Sequence, residues 1–552
     1  SDVCSSDLGS SMNDHLTETA SFLAKHIPDL KNKIVHEADL ALEGMLILPG
    51  SGGEPIFVGN PPKWKENPTP RKDIEAVYVL NRMEHWKTLL EAFLLTGEGK
   101  YARKVTSELM DWIRTVKRPD LPSFGDPVAG AAELRYRFDA GDERFAPWRS
   151  LEAGFRMFQS WYLIPACLEG TPYMTDKIRT ELEESVREHL EVLAAVSPLL
   201  YPEADHNHYL MEMFGLFFAS CRWCSLPLSG EQKKLAMREL KRCVLRQYGK
   251  EGGQLEGCPH YHNECLVLLM RSLLEAGKNG ISFDRDYEER IAGALVYSLH
   301  TCRPTGVNVP WGDSDASTAP VKSALYGWYA FGDAAPVEAV KRLAGPKILN
   351  EVFEATIWDC PHPERFQEIL GGEGKTFTLP ETAWFRTLSQ ACVRSSWDRE
   401  ALSVFFACRL PVQNEHAHMD PGGFDFTAYG RNMIADPGRY TYNEIPERRL
   451  FKSAFSHSTL TVNGCEPFEY RSSWAYGMQG QGSVTHAAWD SENCGLFRME
   501  AVHRFDGFVH RRTVAAGFWE PRPFLAVLDR VEGLKKEDSI TQIGRASCRE
   551  RV

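Results

Sequence analysis

Gly371-Gly-Glu-Gly374 is the stretch on which the fold reading turns, because the periodicity of the chain changes there. Upstream, residues 73–95, 100–116, 151–168, 175–195, 206–224, 230–248, 263–278 and 286–301 each repeat apolar side chains at intervals of three and four, as amphipathic helices do. Turn signals such as Gly97-Glu-Gly99 and Gly277-Lys-Asn-Gly280 separate them. No βαβ alternation and no Gly-rich phosphate loop occurs, which argues against a nucleotide-binding fold. Downstream, 402–408, 424–428, 458–462, 497–502, 511–516 and 524–528 are short β-prone runs punctuated by Gly, Pro and Asn. The expectation is a multidomain α+β chain: an α/α toroid (an incomplete barrel) over 12–370, then an antiparallel β-sandwich over 371–543. Residues 1–11 and 544–552 have no pattern continuous with their neighbours, resemble translated sequencing-adapter sequence, and are read as non-native or disordered tails. The sandwich is short, so the chain is expected to be truncated at its C-terminus.

A length of 552 residues fits two domains. Hydrophobic residues at 43% and charged residues at 25% are ordinary for a globular protein. A formal charge of -12 argues against a nucleic-acid partner, while a locally basic cleft remains compatible with a polyanion. No segment approaches the roughly 18 to 20 apolar residues of a membrane span. The 14 cysteines lack framework spacing. Cys221-Arg-Trp-Cys224 lies in an apolar, helical run and is read as buried free thiols, which fits a reducing compartment. With Met12 as the true start the protein is expected to be cytoplasmic; a periplasmic or secreted location stays open.

Several stretches carry candidate chemistry. In Asn414-Glu-His-Ala-His-Met-Asp420, His416, His418 and Asp420 alternate, so an extended backbone puts all three on one face, with donors suited to zinc or to proton transfer. Asp436 in Asp436-Pro-Gly438 and His457 before a strand can complete a His418, Asp436, His457 metal set, or merely hold a turn and cap a strand. Asp205-His-Asn-His-Tyr209 places four hydrogen-bonding side chains at a helix mouth, where Asp205 alone could serve as N-cap. Glu256-Gly-Cys-Pro-His-Tyr261-His262 sets a Tyr between two His in an irregular loop, a place for tuned proton transfer. Asn81-Arg82-Met-Glu-His85-Trp86 reads either as a solvated helix face or as a sugar and carboxylate contact with Arg82 bidentate. Trp311-Gly-Asp-Ser-Asp315 is polar and turn-rich; it could line the same cleft, though it reads first as a structural turn.

Taken together these stretches resemble the heparinase II/III-like polysaccharide lyases, a group that includes exolytic alginate lyases. The series runs from Asn81-Arg82 and Thr96-Gly-Glu-Gly-Lys-Tyr101 through Trp148-Arg-Ser-Leu-Glu152 with Arg156, Asn207-His208, Glu256 to His262 and Gly312-Asp-Ser-Asp315. It ends on His416-Ala-His418-Met-Asp420, Asp436-Pro-Gly438 and His457. The resemblance implies β-elimination at a uronic acid in an acidic polysaccharide, most readily a glycosaminoglycan (heparin/heparan sulfate, hyaluronan or chondroitin). It implies that Asn207, helped by His208, neutralises the carboxylate, that Tyr261 is the acid and also the base when proton and leaving group lie on the same side, and that His416 is the base for the other epimer. Asn81, Arg82, His85, Arg156, Glu256 and Trp311 are its candidate substrate contacts. His418, Asp436 and His457 would hold a structural Zn2+, with Asp420 orienting a histidine. A homodimer is open. Some alginate-specific members carry an additional Tyr shortly before the last metal-site His; Arg449-Leu-Phe-Lys452 lacks one, which favours a glycosaminoglycan over alginate.

Two other readings compete. A glycoside hydrolase on an α/α toroid needs paired carboxylates, for which Glu203, Asp205 and Glu256 are available. A non-catalytic oligosaccharide-binding protein with structural zinc needs aromatic platforms, for which Trp86, Trp311 and Trp474 are available.

Overall fold

The computed structural model describes residues 6–121, 133–135, 137–139, 146–372, 379–408, 416–477, 481–489, 494–502, 508–519 and 522–542. The tail at 544–552, Glu373-Gly374 and Asn414-Glu415 lie outside them. The chain forms two compact units. The first comprises Ser1–Arg246, Arg271–Asp284 and Ile357–Pro363; the second comprises Gln247–Met270, Arg285–Thr356 and Glu364–Val552. Secondary structure does change from helix to strand after the helix Pro363–Gly371, as the sequence indicates. The compact units divide differently, because segments within 247–356 belong with the sheets. The first helix, Ser6–His26, begins inside the stretch read as a tail.

In the first unit, amphipathic helices match the periodic runs, with two corrections. The run 73–95 is broken into Glu75–Leu80 and Glu84–Thr96, because Met83 takes a left-handed conformation with φ 56°. The run 151–168 is interrupted by a π-helical turn at Met157–Trp161. The helix Ser150–Arg156 lies against Asn207–Arg222 at a glycine pair: a Cβ on Gly215 would stand 2.7 Å from Gly154 Cα. Ser150 Oγ donates to Glu212 Oε1 at 2.8 Å across the same contact. The N-cap of Asn207–Arg222 is His206, whose ring accepts from His208 N at 3.1 Å; the cap is not Asp205. Cys221 is a buried free thiol, as expected, but Cys224 is disulfide-bonded.

The second unit holds a five-stranded antiparallel sheet in the order Thr382–Phe385, Gln390–Arg394, Ser403–Ala407, Gly423–Ala428, Arg431–Ile434. A four-stranded antiparallel sheet runs Gln481–Trp489, Cys494–Val502, Val509–Trp519, Arg522–Glu532. Side chains alternate along each strand. Val404 and Phe406 therefore enter a core with Val484, Val514 and Ala516 of the second sheet, which is the predicted sandwich. Phe405 and Ala407 face the other way, onto Tyr297, Val309 and Trp311.

That second face positions two loops. Gln390 accepts from Tyr297 Oη at 2.8 Å and donates to the Gly257 carbonyl at 2.7 Å, fixing the loop before Tyr261. Arg394 donates to the carbonyls of His300 and Cys302, both at 2.9 Å, just past the helix Arg285–His300. The loop that follows is closed by Asn308, which donates to the Asp315 carbonyl at 2.9 Å and accepts from Ser317 N at 3.1 Å. Among the described residues no helix is long and apolar enough to cross a membrane.

Candidate active site

Tyr261 stands in the first turn of the helix Pro259–Lys278, and its ring stacks on His416 at 3.8 Å between centroids and 10° between planes. Burial first, then Tyr442, pushes the Tyr261 phenol well above its ordinary range, so it is a held proton donor rather than a phenolate. The hydroxyls of Tyr261 and Tyr442 are hydrogen-bonded to each other. Tyr442 in turn stacks on Trp474, with centroids 5.6 Å apart, and the Arg439 guanidinium lies 4.5 Å over its ring.

His416 is fixed on three sides. Its Nδ1 is 3.0 Å from Asp313 Oδ2, its Nε2 is 3.7 Å from Glu256 Oε2, and its ring meets Trp474 edge-on at 5.3 Å. Asp313 is fully buried and is also reached by His418 Nε2 at 3.0 Å, by Arg448 through both Nη atoms at 3.1 Å, and by Lys452 Nζ at 3.5 Å. Burial alone would raise the Asp313 carboxyl; Lys452, His416 and His418 hold it well below the carboxylate range. The sequence offers 311–315 as a turn that could line the cleft, but nothing local in it marks Asp313, Tyr442, Arg439, Arg448 or Lys452 as partners of His416 and Tyr261.

The predicted metal set is brought together. His418, Asp436 and His457 are buried and offer one ligand atom each, all within 4.8 Å of one another. His418 Nδ1 is buried without a hydrogen-bond partner while Nε2 is engaged by Asp313, which leaves a lone pair aimed into the cluster. His457 Nε2 meets the Phe451 carbonyl at 2.9 Å and its Nδ1 lies 2.6 Å from Asp436 Oδ2. Two imidazoles and a carboxylate with outer partners holding the far nitrogens fit a zinc site. Replacement of His418 by Ala is expected to reduce bound zinc from about one per chain to below about a tenth, by elemental analysis after dialysis; full occupancy would refute the assignment. Asp420 is buried in the same region, and burial pushes its carboxyl up to about 8. It makes no described hydrogen bond to a histidine, whereas Asp313 meets both His416 and His418.

The proposed substrate contacts fare differently. Asn81 is fully buried: it donates to the carbonyls of Trp64 (2.7 Å) and Val77 (2.8 Å) and takes the Trp112 indole N–H at 3.0 Å. Arg156 is buried between Trp112 and Trp148, donates to His189 Nε2 (2.8 Å) and to the carbonyls of Asn81 (3.1 Å) and Pro147 (2.6 Å), and burial lowers its pKa to about 9. Arg82 pairs with buried Glu152 at 2.9 Å, and His85 with Glu108 at 2.8 Å. These four brace the helical unit, and of Arg156 only Nη2 is buried without a hydrogen-bond partner. Trp311 is buried against Phe405 and is core, not a sugar platform. Half-buried Trp474 is the aromatic beside His416. Glu256 does join the site. Asn207 and His208 belong to the first unit, where Asn207 is buried and His208 Nδ1 meets Tyr201 Oη at 3.2 Å.

Helices followed by facing antiparallel sheets are also the architecture of solved heparinases. A solved heparinase III superposes with a TM-score of 0.69 at 16% identity, covering 90% of this chain and 70% of that one. A heparan sulfate lyase of Pedobacter heparinus gives 0.57 at 19%, covering 95% and 74%. The chain belongs to the heparinase II/III family: the Heparinase II/III N-terminus model matches residues 21–334 and the Heparinase II/III-like C-terminal model matches 377–544. A heparin-sulfate lyase of Bacteroides stercoris is 23% identical over 494 residues, covering 88% of this chain and 66% of that protein. One of Pedobacter heparinus is 23% identical over 403 residues, covering 71% and 53%. The chain thus spans just under two-thirds and about half of these two relatives.

Proposed function

We propose that this chain is a polysaccharide lyase that cleaves a uronic-acid-containing glycosaminoglycan, of the heparin/heparan sulfate type, by β-elimination. The observation that carries this reading is the Tyr261 ring stacked on His416, one a buried protonated phenol and the other an imidazole whose Nδ1 is held by a carboxylate. The C5 proton of a uronate is weakly acidic while the neighbouring carboxylate is charged, so the carboxylate must be neutralised and the enolate-like intermediate stabilised. The family resemblance gives that task to Asn207 with His208. His416 Nε2 takes the C5 proton, the electron pair forms the C4–C5 double bond, the C4–O bond breaks, and Tyr261 protonates the leaving oxygen. Zinc held by His418, Asp436 and His457 would fix the 416–420 segment structurally.

The heparin-sulfate lyases among the relatives support the substrate class. One observation favours alginate as a second reading. Although 449–452 carries no Tyr, Tyr442 brings a second phenol hydroxyl against that of Tyr261, which weakens the argument against alginate. Incubation with heparan sulfate, hyaluronan, chondroitin and alginate, read by the ultraviolet absorbance of the 4,5-unsaturated product, decides. The expected result is a chromophore fastest on heparan sulfate. Faster release from alginate moves the assignment to the second reading. Cleavage without a chromophore, or binding without cleavage, overturns the lyase.

A further inference from the structure

Asp313 is tied to the histidine segment through backbone as well as side chain. Its N–H donates to the His416 carbonyl at 2.9 Å, and Gly312, at φ +62°, lies so close that a Cβ there would stand 2.5 Å from the same oxygen. Only glycine lets the two loops approach this far. The carboxylate then divides its acceptors: Oδ1 faces His418 Nε2 (3.0 Å) and Arg448 Nη1 (3.1 Å), while Oδ2 faces His416 Nδ1 (3.0 Å) and Arg448 Nη2 (3.1 Å). Arg448 and Lys452 have no acceptor to offer, so their charges keep Asp313 an acceptor toward both imidazoles.

We propose that Asp313 is a shared positioning residue that accepts Nδ1–H from His416 and Nε2–H from His418, setting both tautomers with one carboxylate. Resting on the lyase reading above, this turns the lone pair of His416 Nε2, 3.7 Å from Glu256 Oε2, to the substrate proton and that of His418 Nδ1 to the metal. The base and the metal clamp are thereby held by a single group, and loosening either end disturbs the other. An unconstrained neutral imidazole favours Nε2–H, so the His416 tautomer is imposed, not intrinsic.

The test has three readouts. Long-range 1H–15N spectra of 15N-histidine-labelled protein, assigned with His416→Gln and His418→Gln, are expected to show Nδ1–H for His416 and Nε2–H for His418. An Nε2–H tautomer at His416 overturns the proposal without reference to any activity. Asp313→Asn, whose amide offers one acceptor oxygen where two donors need one each, is expected to lower kcat about 100-fold or more with KM within about threefold. In chelator competition, the same variant is expected to bind zinc about 10- to 100-fold more weakly. Lost turnover with unchanged zinc affinity would confine Asp313 to His416 and overturn the shared role, as would turnover and zinc binding both near those of the unmodified protein. If Asp313→Asn does not fold, the tautomers of the unmodified chain decide. If no substrate yields a chromophore, the lyase reading fails while the spectra and the zinc titration still judge Asp313.

Discussion

Tyr261→Phe is expected to lower turnover of the preferred uronate polymer by about 1000-fold or more, with the thermal transition unmoved. General acid–base groups contribute on the order of 100- to 10,000-fold, and here one hydroxyl is asked to protonate the leaving oxygen. The substitution removes that oxygen and nothing else. The ring keeps its 3.8 Å stack on His416, so packing survives and a kinetic loss is not a folding loss. Tyr442 keeps its stack on Trp474 and its Arg439 contact, losing only the bond to Tyr261. Initial rates of 4,5-unsaturated product, with a melting curve beside them, make the measurement. A variant within about threefold of the parent rate would remove Tyr261 from the mechanism and leave Tyr442 as the phenol to examine.

Much of the fold was legible because helices and strands write their periods locally. The run 175–195 predicted the helix Asp176–Leu200, with Thr175 as its cap accepting from Ile178 N at 3.3 Å, and 402–408 predicted the strand Ser403–Ala407. Breaks inside a run were not legible. Met83 in a left-handed turn leaves no mark on an apolar pattern, and a π-helical turn at Met157–Trp161 shifts the register by less than a pattern resolves. In the site, His416 and His418 could be paired from sequence because alternation is a local property. Their common partner Asp313 lies more than 100 positions away, a separation only tertiary structure closes. The internal pairing of the expected substrate contacts could not be read from sequence, for one shared reason. An Arg within an amphipathic helix looks the same in sequence whether it meets a ligand or, like Arg156, is buried among tryptophans and its own chain's carbonyls.

Asp425→Ala is expected to be the most destabilising substitution beside the metal set, by about 3–5 kcal/mol, because it leaves a buried guanidinium without its counter-charge. Asp425 sits on the fully buried strand Gly423–Ala428 and takes Arg303 through both oxygens, one at 2.9 Å from Nε, with both residues almost inaccessible to solvent. Its Oδ2 also accepts from Asp436 N at 3.2 Å, so the same carboxylate holds the backbone of a metal ligand. Melting-temperature depression should therefore be accompanied by weaker zinc binding. The exposed pair Arg285–Glu289 supplies the control: its N–O distance is 2.5 Å, yet its side chains are 89% and 57% exposed, and Arg285→Ala is expected to cost under about 1 kcal/mol. Burial, not distance, separates the two pairs. The double change Arg303→Met with Asp425→Leu removes both charges and should recover most of the loss, since the penalty belongs to the orphaned charge rather than to the missing bond. If Asp425→Ala melts within a degree of the Arg285→Ala control, Arg303 has found water or another acceptor, and the ion pair is not what holds the Asp436 turn.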